Sequence, residues 1–181
     1  MSNECILSDV LLFREKKAEI QKRFLKMQKK GSVISFGLNI PGPNKTGELI
    51  QYAFLEGQNC IESYLKKNGW EISKTVSLNE KAGYAKIYLV KGDPVVLKKD
   101  LVYIEENHEL GRLFDIDVLS AEEVAISRKQ IGVHERKCLM CTEDAKVCAR
   151  SRRHSVEELN NRISYMIEMW RKKDDSGGVS V

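Results

Sequence analysis

The chain has 181 residues, 42% of them apolar and 31% charged, with 30 Lys and Arg against 26 Asp and Glu for a net charge of +4. That length and balance suit one folded domain with its own core and exclude a disordered polyelectrolyte. So mild a positive excess does not argue for nucleic acid, and no run approaches the ~18 apolar residues that a membrane span needs. Glu4 and Asp9 stand where a signal peptide would be basic. The expected setting is therefore cytoplasmic, with no membrane association and with the five cysteines reduced.

Ser8 is placed to cap a helix over 8–30, with Val10, Phe13, Ile20, Phe24 and Met27 on one stripe. Its other face is basic: Arg14 to Lys30 holds eight basic and two acidic residues. Val33–Ile40 has strand composition and ends at the turn-rich Pro41–Lys45. Glu48 to Lys67 reads as a helix, with Ile50, Phe54, Ile61 and Leu65 on its apolar side and Asn68-Gly69 as its stop. Trp70–Leu78 alternates, with Trp70, Ile72, Lys74, Val76 and Leu78 on one side, and Tyr84–Val90 follows as its hairpin partner. Asp93-Pro94 supplies a cap and a first helical position for a helix ending near Asn107. Arg112–Leu119 is the fourth strand. The remainder is basic and loop-rich, and it closes with a helix from Ser155 to about Lys173, opened by a Ser155/Glu158 capping box.

The order β-α-β-β-α-β predicts an α+β fold of the ferredoxin-like, split β-α-β type: a four-stranded antiparallel sheet with helices on one face. An N-terminal helix precedes it, and a cysteine-containing basic extension ending in a helix follows. The expected organisation is one catalytic domain over 1–173. It comprises the basic helix 8–30, the α+β core 32–119 and the basic loop and helix 120–173, with a disordered tail at 174–181.

The fourth strand raises a chemical question. GRLFDIDVL puts Asp115 and Asp117 inside an apolar run, although Asp is a poor strand former. Strand alternation sends Phe114, Ile116 and Val118 to one face and both aspartates to the other. Two carboxylates at i and i+2 can share a hard cation, and oxygen ligands suit Mg²⁺. The plainer reading is a pair of solvated acids on an exposed strand face.

Other residues suggest anion or metal chemistry. The turn from Asn39 to Lys45, just before a helix, is a candidate phosphate cradle. Arg150, Arg152 and Arg153 in CARSRRH offer guanidinium forks to phosphate oxygens, and Arg112 and Arg128 are placed to join an anion site. Cys138, Cys141, Cys148 and His154 are spaced so that they could surround a structural Zn²⁺, or could be reduced thiols with packing roles. His108 reads as a surface or core histidine rather than a catalyst.

NIPGPNK, GRLFDIDV, AISR, RKCLMC, CARSRRH and EEL occur here in one order. Together they resemble the holo-acyl-carrier-protein synthase family of citrate lyase, also called apo-citrate lyase phosphoribosyl-dephospho-coenzyme A transferase, over roughly Asn39 to Leu159. Two departures stand out: Asn44 occupies a position expected to be apolar, and Lys137 one expected to be proline. The resemblance implies a nucleotidyltransferase reaction. The donor would be 2′-(5″-triphosphoribosyl)-3′-dephospho-coenzyme A, the acceptor a serine of the acyl carrier subunit of citrate lyase, and diphosphate the leaving group. On that reading Asp115 and Asp117 hold Mg²⁺ and Lys45, Asn39, Arg112, Arg128, Arg150, Arg152 and Arg153 meet the donor phosphates. His154 or an aspartate takes the serine proton, and the basic helix docks an acidic carrier. The alternative is a zinc-containing nucleic-acid-binding module that is not an enzyme and binds through its basic surface; such sheets often stack bases on exposed aromatics, and the central strands here offer no aromatic pair placed that way.

Overall fold

The structure, a computed structural model, describes residues 4–28 and 31–177. Its elements are α1 (Leu7–Met27), β1 (Gly31–Leu38), α2 (Glu48–Lys67), β2 (Ile72–Glu80), β3 (Gly83–Lys91), α3 (Pro94–Asn107), β4 (Phe114–Leu119), α4 (Ala145–Ser151) and α5 (Val156–Asp175). The sheet is antiparallel throughout, in the order β2-β3-β1-β4. Among the described residues no helix is long and apolar enough to cross a membrane.

The main core lies between one sheet face and α2, α3 and α5. Ile34 and Phe36 of β1, Tyr88 and Val90 of β3 and Phe114, Ile116 and Val118 of β4 meet Phe54, Ile61, Leu101 and Ile167 there. Phe36 stacks on Phe54 at 5.1 Å and meets Phe114 edge-on at 5.6 Å. A β-carbon on Gly57 would come within 2.5 Å of the Phe36 ring, so glycine at this helical position lets α2 lie close over the sheet. His108 packs at a tilt against Trp170, ring centres 4.5 Å apart, while its Nδ1 accepts from the Leu110 N–H, which makes it a packed structural histidine.

The core helices α2 and α3 share one sheet face, and the N-terminal helix, which the sequence leaves unplaced, does not join them. α1 packs on the opposite face, where its Phe24 and Leu25 bury Val33, Ile87 and Leu89. β1 is accordingly buried without interruption from Gly31 to Phe36, the pattern of a strand covered on both sides. A β-bulge between Ile72 and Lys74 breaks the expected alternation of β2: Ile72 packs with the main core, and Val76 with the α1 layer.

Other boundaries differ locally. Ser8 lies inside α1 rather than capping it; the Ile6 N–H is met instead by the Asp9 carboxylate at 3.0 Å. Met27 is exposed rather than on the buried stripe, and the expected 28–30 end of the helix lies partly outside the described residues. The extension holds a helix, α4, that periodicity does not reveal in only seven residues. Asp174 and Asp175 continue α5, Asp174 accepting from Tyr52 Oη at 3.0 Å, and 178–181 lie outside the described residues.

β4 is an edge strand; the Ile126 N–H donates to its outer Val118 carbonyl at 2.8 Å, and side chains satisfy the outer groups of Phe114 and Ile116. Lys98 Nζ donates to the Ile116 carbonyl at 2.5 Å, the Ile116 N–H donates to Glu105 at 3.3 Å, and Arg136 donates to the Phe114 carbonyl at 2.8 Å. Glu105, almost fully buried, is flanked by Arg128 and Arg136, each at 2.5 Å. Removing one partner of a buried ion pair leaves uncompensated charge and costs about 3–5 kcal/mol. Glu105→Gln is therefore expected to lower urea-unfolding stability by about 3 kcal/mol or more. Glu71→Gln, at the exposed Lys91 pair, is expected to change it by less than about 1 kcal/mol. Equal effects of the two substitutions would show that the Glu105 cluster does not hold the edge.

Candidate active site

A cavity of about 440 Å³ opens where the end of β1, the start of β4, α4 and the N-terminus of α5 meet. Its polar lining is cationic: Arg112, Arg136, Lys137 and Arg152, with Asn39 beside them. Leu113, Leu139, Leu159 and Ile163 give it an apolar side. The volume falls within the range typical of small-molecule sites.

Each cation has a structural reason for its place. Arg112 sits in the 3₁₀ turn entering β4, and Gly111 before it has the Glu105 carbonyl where a β-carbon would be, 2.5 Å away. Only glycine lets that turn run so close beneath α3. Arg136 is fixed by Glu105 and the Phe114 carbonyl, and Lys137 follows it. Arg152 ends α4 in the left-handed region at φ 48°, unusual for a residue with a side chain. Gly42, at φ +77°, packs the Pro41–Lys45 turn against Val156 of α5, closing another wall. The N-terminus of α5, the positive end of its dipole, faces the same space through Ser155 and Val156.

The electrostatics favour an anion. Arg112 and Arg152 form no ion pair among the described residues. Burial, then the neighbouring Arg136 and Arg128, push the Arg112 pKa down. Its positive charge is under-compensated, and a bound phosphate would relieve that.

The structure brings some of the sequence-predicted site residues together and disperses others. Asn39, Arg112, Arg152 and His154 line the cavity. Arg128 does not; its guanidinium is committed to Glu105 and to Glu106 at 2.7 Å. Lys45 donates to the Ile40 carbonyl, beside Cys5 and Arg14, and burial lowers its pKa. Arg150 and Arg153 are exposed outside the cavity lining, Arg153 lying 3.9 Å from Glu143. Arg136 was missed because HERKC gives no spacing signal; its role follows from tertiary pairing with Glu105.

Asp115 and Asp117 are solvent-exposed on the α1 face of β4, opposite Gly37 and Ser35 in the register. They do not line the cavity. Asp117 is exposed yet crowded by neighbouring atoms. That partial desolvation and the Asp115 charge push its pKa up, while Lys98 and Lys17 oppose the shift. Among the described residues no third acid, cysteine or histidine completes a metal-holding group around them. Two carboxylates remain a fit for Mg²⁺, which commonly takes one or two from the protein and the rest of its shell from water and substrate phosphates.

Beside the cavity Cys138, Cys141, Cys148 and His154 converge, their ligand atoms all within 4.8 Å of one another. His154 Nε2 lies 3.4 Å from Cys141 Sγ, and Cys141 Sγ lies 3.5 Å from Cys148 Sγ. All five cysteines are free thiols. The aromatic side chains Phe36, Tyr88 and Phe114 of the sheet are buried, so they form no base-stacking surface of the kind a nucleic-acid module would use.

Over residues 5–170 the sequence matches the family described as apo-citrate lyase phosphoribosyl-dephospho-CoA transferase. It is 36% identical over 161 residues to a Vibrio cholerae serotype O1 protein named "Probable apo-citrate lyase phosphoribosyl-dephospho-CoA transferase", covering 88% of this chain and 90% of that one. A Streptococcus pyogenes serotype M18 protein of the same name is 36% identical over 184 residues, covering 99% of this chain and 94% of its own. An Escherichia coli O7:K1 protein named "Apo-citrate lyase phosphoribosyl-dephospho-CoA transferase" is 31% identical over 161 residues, covering 89% and 87%. With that match spanning nearly the whole fold, cavity and thiol cluster included, the chain belongs to the apo-citrate lyase phosphoribosyl-dephospho-CoA transferase family, a family of transferases.

Proposed function

We propose that this enzyme transfers the phosphoribosyl-dephospho-CoA group of a triphosphoribosyl-dephospho-CoA donor to a serine of the acyl carrier subunit of apo-citrate lyase. The serine hydroxyl gives its proton to a carboxylate of Asp115 or Asp117, its oxygen forms a bond to the α-phosphorus, the bond from that phosphorus to the bridging oxygen breaks, and diphosphate leaves with the electron pair. The observation that carries this reading is the cationic cavity of Arg112, Arg136, Lys137 and Arg152 in a chain of this family. Phosphoryl-type transfer asks a protein chiefly for position and charge, and the nucleophile here comes from the partner. The ferredoxin-like core is supported by the strand order β2-β3-β1-β4, and it ends β1 and begins β4 side by side at the cavity.

Arg112 and Arg152 hold the β- and γ-phosphates, with Arg136 and Lys137 beside them. Asp115 and Asp117 hold Mg²⁺, which neutralises polyphosphate charge when bound. Asp115 follows Leu113 of the cavity wall by two residues, about 7 Å along a strand, so a donor seated in the cavity can extend towards it. His154, with Nε2 turned to Cys141, is not assigned the serine proton.

Incubation of the apo carrier subunit with donor, Mg²⁺ and enzyme is expected to add one prosthetic group to the carrier by mass spectrometry and to release diphosphate. An unmodified carrier would overturn the reading. A hydrogen bond to a charged group contributes about 1.5–3 kcal/mol, so Arg112→Ala and Arg152→Ala are each expected to raise the donor KM by about tenfold or more. Asp115→Asn and Asp117→Asn are expected to abolish transfer with an unchanged circular dichroism spectrum. If they leave the rate and its Mg²⁺ dependence intact, the two acids are only solvated.

The exposed side chains of Lys22, Arg23 and Lys26 on α1 suit an acidic carrier. Reversing all three charges is expected to raise the carrier KM and flatten its salt dependence while the donor KM stays constant. Unchanged carrier kinetics would place docking elsewhere.

A further inference from the structure

We propose that Cys138, Cys141, Cys148 and His154 bind one Zn²⁺, and that this ion is the structural anchor of the wall that carries Arg136, Lys137 and Arg152. The inference stands apart from the transferase reading, since it is read from metal content without any substrate.

The four ligand atoms have the spacing of a tetrahedral zinc site. Zn–S and Zn–N bonds of about 2.3 and 2.0–2.1 Å in a tetrahedron place ligand atoms about 3.8 Å (S to S) and about 3.6 Å (S to N) apart. The four ligand atoms here lie within 4.8 Å of one another, with 3.5 Å between Cys141 and Cys148 and 3.4 Å between Cys141 and His154. The loop bearing the first pair has the form such a site needs. The Cys138 N–H donates to the Glu143 carbonyl at 2.7 Å, and the Met140 N–H points at Cys138 Sγ, 3.4 Å away. The first bond closes the loop and the second aims a turn N–H at sulfur.

α4 has seven residues, far below the ~12–15 at which an isolated helix becomes even marginally stable. Cys148 is its one buried residue, so apolar burial does not account for its being held. A metal drawing Cys148 to Cys138, Cys141 and His154 would tie together three segments: the loop after Arg136, α4 and the entry to α5. Lys137 directly precedes the first ligand, and Arg152 stands two residues before the last.

Four protein ligands leave no open position, which marks a structural rather than a catalytic zinc. Three thiolates and a neutral imidazole around Zn²⁺ sum to a single negative charge, so the ion does not itself attract the donor. Its effect is to fix the cations that do. Binding releases the three thiol protons. Occupied in this way, His154 is withdrawn from proton transfer, and the serine proton goes to another acceptor.

The test uses the full chain, purified without an affinity tag under reducing conditions from zinc-supplemented cells. Elemental analysis is expected to give about one zinc per chain. Replacement by Co²⁺ is expected to give thiolate-to-cobalt charge-transfer absorption and tetrahedral d–d bands. Cys141→Ser is expected to lose the zinc, His154→Cys to keep it, and Cys60→Ser, outside the cluster, to leave it unchanged. Because Cys141→Ser could fail to fold, the wild-type stoichiometry and cobalt spectrum decide by themselves. Substoichiometric zinc with no cobalt charge-transfer band overturns the proposal.

Discussion

One buried carboxylate organises this molecule. Glu105 projects from α3 onto the unpaired edge of β4, where its oxygens meet Arg128, Arg136 and the Ile116 N–H. A lone buried carboxylate would be among the costliest groups a core can hold. Paired with two guanidiniums it becomes a joint instead. It completes the hydrogen bonding of the edge strand, fastens the loop after β4 through Arg128, and brings Arg136 to the cavity from more than thirty residues further along the chain. Lys98 closes the same edge from two turns earlier in α3.

From that joint the site follows. An edge strand capped by side chains rather than by another strand leaves room beyond its N-terminal end. The turn at Arg112, the loop after β1 and the cysteine-bearing segment fill that room without closing it. Arg136 answers to a carboxylate, whereas Arg112 and Arg152 answer to none among the described residues, and that imbalance makes the cavity receptive to a polyanion. Fold and site are thus coupled by one ion cluster, which supplies rigidity on one side and leaves charge unspent on the other.

The elements of the core were legible in the sequence because each carries its own periodicity: the Phe54–Ile61–Leu65 stripe of α2, the Asp93-Pro94 start of α3 and the alternation in FDIDVL all appear where the residues put them. The covering of the second sheet face by α1 was not, although Val33, set between core-facing Ile34 and the serines of β1, is an apolar residue on the other face. The bulge that turns Ile72 and Val76 to opposite layers left no local mark. At the site, CARSRRH pointed to Arg152 and His154, and NIPGPNK to Asn39, but neither could say which neighbours turn away. Arg150, Arg153, Lys45 and Arg128 differ from Arg152 in tertiary partners and direction, not in chemistry. The aspartates were correctly sent to one face, yet which face would carry the cavity depends on α4 and α5, and α4 is too short to announce itself.

The central claim is that the donor polyphosphate lies in the cavity among Arg112, Arg136 and Arg152. A crystal structure of the enzyme with bound donor tests this most directly. The account predicts phosphate density within hydrogen-bonding distance of at least Arg112 and Arg152, with the chain of phosphates running towards Asp115. Phosphates bound elsewhere, with the three guanidiniums untouched, would contradict it.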